Sequence, residues 1–279
     1  MLFDTFVYPV HHNKSIRDAL GVCEGDTAYL IECDIKQLDS LSQNLRRYKL
    51  RAKCKIHPYD QNGQVYAFRG MRPPSEDAVA CMDRRAPGMG YRLIAGHNHG
   101  IDARNESQKD YTVRRMMQGV AEGQNEIFYD NATPLEANMD IMHAIDFKKG
   151  CYVGQELTAR THHTGVVRKR IVPVQLYALP QGQEEVGDIP IPSDLVFTDE
   201  KLPLPPSQSA LVKMGSKGRS PGKFCAGIGN IGLASLRLDT LTSPAHVGAQ
   251  WTDEQGVLQS VGIKGFIPNW WPDGMKHTG

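Results

Sequence analysis

Ile35, Leu38, Leu41, Leu45 and Tyr48 fall three or four residues apart, the spacing that lines one face of an α-helix, and Asp34 stands where its carboxylate can accept from the first free amides. The pattern predicts a helix over 35–48. Ala28–Cys33 before it reads as a strand. After it, Arg51-Ala52-Lys53-Cys54-Lys55-Ile56 alternates basic with small or apolar residues, which predicts a strand that turns Ala52, Cys54 and Ile56 into the core. This β-α-β order implies an α+β sheet with a helix on one face. Asn62-Gly63 separates two short extended runs and predicts a hairpin; Pro73-Pro74 ends the second run, because proline removes a ladder donor.

Farther along, the pattern predicts a helix over Asp110–Gly119, closed by its glycine, and another between Leu135 and His143 with Pro134 in the first turn. Val166–Leu176 favours strand, as do runs near 224–238 and 256–267, separated by glycine-rich turns, so the last third reads as all-β. The stretch 179–222 is rich in Pro, Ser, Gln and Gly and shows no periodicity, which predicts a long, mobile surface insertion. No internal repeat or heptad is visible.

Composition narrows the function classes. A chain of 279 residues with 40% apolar content can bury a sizeable core without staples. Thirty-two basic against thirty-one acidic side chains leave a net charge of +1, so no global field draws the chain to nucleic acid or anionic lipid. No run approaches the roughly 18 apolar residues of a membrane span, and Met1–Pro9 lacks a secretory pattern, so a soluble chain is expected. The six cysteines, at 23, 33, 54, 81, 151 and 225, contain no C-x-x-C pair and suit a reducing compartment. Cys54 is expected to be buried, and Cys23, Cys33, Cys81 and Cys225 have no better claim to chemistry.

Cys151 differs. In Lys148-Lys149-Gly150-Cys151-Tyr152-Val153-Gly154-Gln155-Glu156, small, charged and polar residues crowd around one thiol where a core strand would be apolar. Gly150 and Gly154 permit backbone angles or close approaches that a side chain would obstruct, and Gln155–Arg160 has the composition of a short helix beginning just after the cysteine. The positive end of that helix and the neighbouring Lys148 and Lys149 would favour the thiolate, the form that attacks or binds metal.

The nine-residue stretch resembles K-G-C-[YF]-x-G-Q-E, the signature of YgfZ-type proteins, folate-binding relatives of the glycine-cleavage T-protein; it stands here as Lys149 to Glu156. The likeness continues upstream through Gln118–Gly123 and Pro134–Asp140, and downstream through Leu157–His163 and Gly229–Arg237. Within that family the pattern is most similar to the eukaryotic mitochondrial branch that assembles iron–sulfur clusters. The resemblance implies a T-protein-like folate-binding fold over residues 1–165 and a C-terminal β-barrel over 166–279 that carries the 179–222 insertion, with Cys151 close to where the lobes meet. It also implies the mitochondrial matrix, an A-type iron–sulfur scaffold protein as partner, apo recipient proteins downstream, and [4Fe–4S] maturation as the task. Family members usually carry several tens of residues before the strand matching Leu2–Tyr8, which would supply one wall of the folate-like pocket. Tetrahydrofolate is the cofactor that the resemblance implies for the pocket those residues complete.

A [2Fe–2S] cluster needs four protein ligands. One site cysteine leaves three to find, so a shared cluster is expected, with Cys151 giving one ligand and the partner the rest. His162 and His163 offer imidazoles nearby; if this stretch is a strand, they face opposite ways and only one points at the site. His97-Asn98-His99-Gly100 is a weak metal signal. Lys148, Lys149, Arg160, Arg168, Lys169 and Arg170 form either a solvated basic face or a landing surface for an acidic partner. Two other functions compete: folate-dependent aminomethyl transfer, which has no need of the thiol, and a cysteine hydrolase using Cys151 with His162 or His163 as base.

Overall fold

A computed structural model describes residues 3–10, 14–23, 25–59, 63–70, 79–96, 106–129, 131–179, 189–215 and 218–273. The chain divides into two compact units, residues 2–106 and 107–279. The division expected near Gly165 thus falls inside the second unit. The reason is that the helix Gln108–Met117 and the turns after it share a core with the barrel strands.

In the first unit, β1 (Phe6–Pro9) and β2 (Tyr29–Glu32) form an antiparallel ribbon, with α1 (Lys14–Ala19) in the connection. Alternation turns Tyr8 and Leu30 inward, where they pack with Val10, Val79 and Ile94. The Tyr8 hydroxyl donates to Glu32, which also pairs with the buried Arg92 guanidinium. The helix predicted over 35–48 is present: a 3-10 turn at Ile35–Gln37, capped by Asp34 accepting from the Lys36 amide at 2.9 Å, runs into α2 (Leu38–Tyr48). The strand predicted over 51–56 is not. Residues 52–59 belong to no strand and Cys54 is exposed. Asn62, Pro73 and Pro74 lie outside the described residues; Gly63 opens the next strand, which pairs with a later one and not with residues 52–59, so the hairpin expected at Asn62-Gly63 is not seen among the described residues. β3 (Gly63–Phe68) pairs with β5 (Tyr91–Gly96), which also takes β4 (Val79–Met82), all antiparallel.

The second unit opens with α3 (Gln108–Met117). Ser107 and Asp110 cap it reciprocally, and Gly119, at φ +72, ends it. A Cβ at 119 would lie 2.9 Å from Cδ of Pro173, so glycine is also required for the close approach. The helix predicted between Leu135 and His143 is a run of turns: Asn138 (φ 63) and His143 (φ 55) leave the right-handed path. Asn138 does so because its amide donates to the Ile171 carbonyl at 2.6 Å. α4 (Gln155–Thr164) follows, then β6 (Lys169–Ala178), β7 (Leu211–Lys213), β8 (Gly222–Ile228), β9 (Ile231–Arg237), the short α5 (Leu238–Leu241), β10 (Val247–Thr252) and β11 (Leu258–Gly265).

The six strands pair antiparallel in the order β7-β10-β11-β6-β9-β8. The outer strands then meet: Ala210 bridges Lys223, and the backbones of Gln208 and Ser209 exchange hydrogen bonds with Phe224, which closes the sheet into a barrel without free edges. The interior holds Val172, Val174, Leu176, Phe224, Leu236, Val261 and Ile263, among others. Outside β6, β9 and β8 lies a second layer in which Ile171, Cys225, Ile231 and Leu233 pack against Met116, Ile127, Phe128 and Ala137. The expected mobile insertion is in large part built into this barrel. Leu195 and Phe197 join the second layer, the Val196 amide donates to Gln175 at 2.9 Å, and the Thr198 amide donates to Asn230 at 2.7 Å. Its prolines remove periodicity without removing these anchors.

Arg170 is the point where barrel and preceding turns lock. It makes a bidentate pair with Asp140 at 2.9 and 2.8 Å, donates to the Leu135 carbonyl and lies 5.7 Å over the Trp271 ring, with only 4% of its side chain exposed. Breaking a buried pair by removing one partner strands the other charge. Asp140→Leu should therefore cost about 3–5 kcal/mol. All three tryptophans lie in this unit, so a lowered urea midpoint of tryptophan fluorescence reads the loss directly.

Candidate functional site

Residues 141–168 leave the locked point at Asp140 and return to it at Arg170, so the signature stretch is an excursion clamped at its base. Three further bonds tighten the clamp: the Ile171 amide to the Glu136 carbonyl at 2.8 Å, Asn138 to Ile171, and Arg170 to Asn138. The excursion itself is lightly packed. Among the described residues, none from Met142 to Arg170 belongs to a hydrophobic cluster.

Cys151 sits in the turn before α4 and is exposed to solvent. The helix expected after it is present and one turn longer, Gln155–Thr164. Gly154 occupies the cap position at φ +85 with open space around its α-carbon, so glycine is needed there for conformation alone. Gly150 has neither a positive φ nor a close neighbour, and the constraint expected at that position is absent. Gln155 returns its side-chain oxygen to the Tyr152 amide at 3.3 Å, while the Gln155 amide donates to the Tyr152 carbonyl at 3.2 Å; together they tie the turn to the helix start. Thr158, buried in α4, hydrogen-bonds through its hydroxyl to the Gly154 carbonyl at 3.1 Å. Glu156 is exposed in the first turn, where a carboxylate suits the helix dipole.

The cations divide. Lys148 and Lys149 flank the thiol in sequence and are exposed, and the Lys149 ammonium lies 4.5 Å over the Tyr152 ring. Arg160 and Arg168 are exposed as well. Arg170 is withdrawn from the basic face by its pair with Asp140, and Lys169 is half-buried. His162 and His163 lie in the last turn of α4, not on a strand, so the opposed-face argument does not apply to them. Phe147 stacks on the His162 ring at 3.6 Å between centroids and meets His163 edge-on. No hydrogen bond joins Cys151 to either imidazole among the described residues. His97 and His99 lie outside the described residues.

Other features around the thiol were not legible in sequence. Val153 is 66% exposed and Leu157 50%, so two apolar side chains one helical turn apart stand in water close to Cys151 in sequence. Of the remaining thiols, burial pushes those of Cys33, Cys81 and Cys225 up, and Cys225 lies wholly inside the second layer.

Comparison with known proteins gives this geometry its relatives. Residues 168–273, the barrel, match the family model described as the CAF17 C-terminal beta-barrel domain. Over nearly the whole chain the sequence is 43% identical to a protein of Aspergillus fumigatus named "Iron-sulfur cluster assembly factor IBA57 homolog, mitochondrial", across an alignment of 323 positions, gaps included, that covers 98% of this chain and 70% of the relative. A protein of the same name in Coccidioides immitis is 38% identical, covering 100% of this chain and 72% of the relative, and one in Neurospora crassa is 34% identical, covering 98% and 70%. The chain belongs to the mitochondrial IBA57 family. The resemblance read from the Lys149–Glu156 signature is thereby borne out, as is a mitochondrial setting. A mixed α/β chain with a C-terminal β-barrel is what an IBA57-family member of this sequence folds into.

The signature admits Tyr or Phe at the position after the thiol, and the structure gives a physical reason. The Tyr152 hydroxyl is buried without a hydrogen-bond partner, so the ring is what the site uses. Tyr152→Phe in this IBA57-family chain should leave the urea midpoint unchanged or raise stability by up to about 1 kcal/mol, whereas Tyr152→Ala should lower it. A loss on the phenylalanine change would show that the hydroxyl is in fact satisfied.

Proposed function

We propose that this chain is an iron–sulfur cluster assembly factor of the mitochondrial matrix in which Cys151 supplies one ligand to a [2Fe–2S] cluster shared with an A-type scaffold protein. The cluster is cargo on its way to [4Fe–4S] centres in recipient proteins. The observation that carries the reading is the solvent exposure of the signature thiol on a clamped, lightly packed excursion. A sulfur in that position can meet ligands from another molecule without any rearrangement of the barrel. Among the described residues no group of three or more His, Cys, Asp or Glu side chains converges as a metal site, which supports a reading in which a cluster bound at Cys151 takes its other ligands from a partner. The relatives' shared name supports the process. Lys148, Lys149, Arg160 and Arg168 surround the thiol in sequence with exposed positive charge, while Val153 and Leu157 offer apolar contact, which suits an acidic partner with an apolar centre to its docking surface. No observation among the described residues favours folate-dependent aminomethyl transfer over cluster handling.

The direct test is anaerobic reconstitution of the chain with purified A-type scaffold, iron and sulfide, followed by size exclusion, visible absorption and iron counting. The native chain should co-elute with the scaffold as a coloured complex, and Cys151→Ser should not, while Cys54→Ser, which removes another exposed thiol, should behave as native. A Cys151→Ser chain that still forms the same cluster-bridged complex would sink the assignment.

The basic face can be tested apart from the thiol. Lys148→Glu combined with Arg168→Glu should slow association with the scaffold about tenfold at low salt, with the difference shrinking as salt screens the charges. Stopped-flow rates that do not change with the reversal would remove the steering role and leave the ligand role standing.

A further inference from the structure

Beyond the thiol, the second unit contains a cavity of about 60 Å³ at one end of the layer outside the barrel, lined by Phe128, Asn131, Glu136, Lys169, Lys223 and Ser235 on a floor of Ala132 and Ile171. Strand register explains the convergence. Ser235 on β9 stands opposite Ile171 on β6 and Lys223 on β8, so Ile171, Ser235 and Lys223 form one row across three strands, and Lys169 follows two residues before Ile171 on the same face. Along that face Ile231, Leu233 and Cys225 are buried in the apolar layer. At the cavity the row turns cationic, which is unusual on a covered sheet face.

Neither lysine is neutralised. No carboxylate lies within ion-pair distance of Lys169 or Lys223 among the described residues, and Lys223 instead rests 5.9 Å over the Phe128 ring. The single carboxylate of the lining, Glu136, is engaged as half of a reciprocal cap: its Oε2 accepts from the Thr133 amide at 3.1 Å, and its own amide donates to the Thr133 hydroxyl at 3.2 Å. Two ammonium groups against one committed carboxylate leave the cavity net positive. The Asn131 amide and the Ser235 hydroxyl add donors that make no other side-chain hydrogen bond among the described residues.

We propose that this cavity binds a small oxyanion: the phosphate or carboxylate head group of a metabolite, held by Lys169 and Lys223 with Ser235 and Asn131 as orienting donors. Size fixes the class. A water needs about 10–15 Å³ of such space, so the cavity takes a group of a few heavy atoms and no bulky ring system. Two lysines lining one small cavity recognise concentrated negative charge, and the Phe128 ring supplies an apolar wall for whatever the head group is attached to. The site involves neither Cys151 nor the residues proposed for scaffold docking, so its occupancy can be measured with the thiol left intact.

The test is residue-resolved NMR of the full chain titrated with inorganic phosphate and, separately, with acetate. Saturable shifts confined to the amides around 128–136, 169–171, 223 and 235 are expected for one or both anions, and which of them binds more tightly assigns the head group. Lys169→Gln and Lys223→Gln should each weaken binding by roughly tenfold, and the corresponding arginine variants, which keep the charge, should retain it. Shifts that stay linear with concentration for both anions, or an affinity unaffected by the double glutamine variant, would overturn the site.

Discussion

The strand β6 is buried on both faces, and the architecture of the second unit follows from that constraint. Residues from Arg170 to Leu176 are all buried, so one set of side chains must fill the barrel and the alternate set must find a cover outside it. Val172, Val174 and Leu176 do the first. Ile171 and Gln175 do the second, Ile171 beneath the turns after α3 and Gln175 by hydrogen-bonding Val196 and the Asn230 carbonyl. A strand of this kind needs a layer on each side, which is why α3, the 118–144 turns and residues 195–198 belong to the barrel unit although they lie on either side of its first strand in sequence.

The same strand fixes the candidate site. Arg170 and Ile171, its first buried residues, hold Leu135, Glu136, Asn138 and Asp140, so the chain is pinned immediately before and immediately after the excursion that carries Cys151. The barrel and its outer layer therefore draw no member of their hydrophobic clusters from residues 142–168. On the proposed role this separation is functional. A thiol that must be met by another protein's ligands and then released from them benefits from a segment with few buried contacts, whose local rearrangement costs far less than global unfolding. An equally exposed thiol on a barrel strand would gain no such freedom.

How much of this was readable beforehand varied with how local the determining physics was. The helix at 35–48, with its periodicity and Asp34, and the one closed by Gly119 were legible because their signals lie within one stretch of chain; so was the short helix after Cys151, where Gly154 marks the start. The alternating 51–56 run misled because alternation states which face would be buried but not whether an edge exists to pair with. Leu135–His143 misled because the bond that turns Asn138 out of the helical path comes from Ile171, thirty-three residues on. The opposed-face argument for His162 and His163 fails because the helix begun at Gly154 and Gln155 runs on through both of them to Thr164. The Lys149–Glu156 signature identified the family by likeness, which no hydrophobic pattern would have done.

The cationic cavity belongs to the least legible class, since it exists only through register. Lys169, Lys223 and Ser235 are separated by more than fifty residues of chain at the extremes, and each alone reads as an ordinary polar position near a strand end. The β-bulge between Phe224 and Ala226 shows how finely the arrangement is set: it lies after Lys223, so Lys223 keeps its place opposite Ser235 while Cys225 still turns into the apolar layer. A shift of one residue on β8 would send Lys223 into the barrel interior, where an unpaired ammonium is costly, and Phe224 to the outside. The burial of Phe224 and the convergence of the two lysines are thus consequences of one register, and the barrel's closure through Ser209, Ala210 and Phe224 holds that register in place.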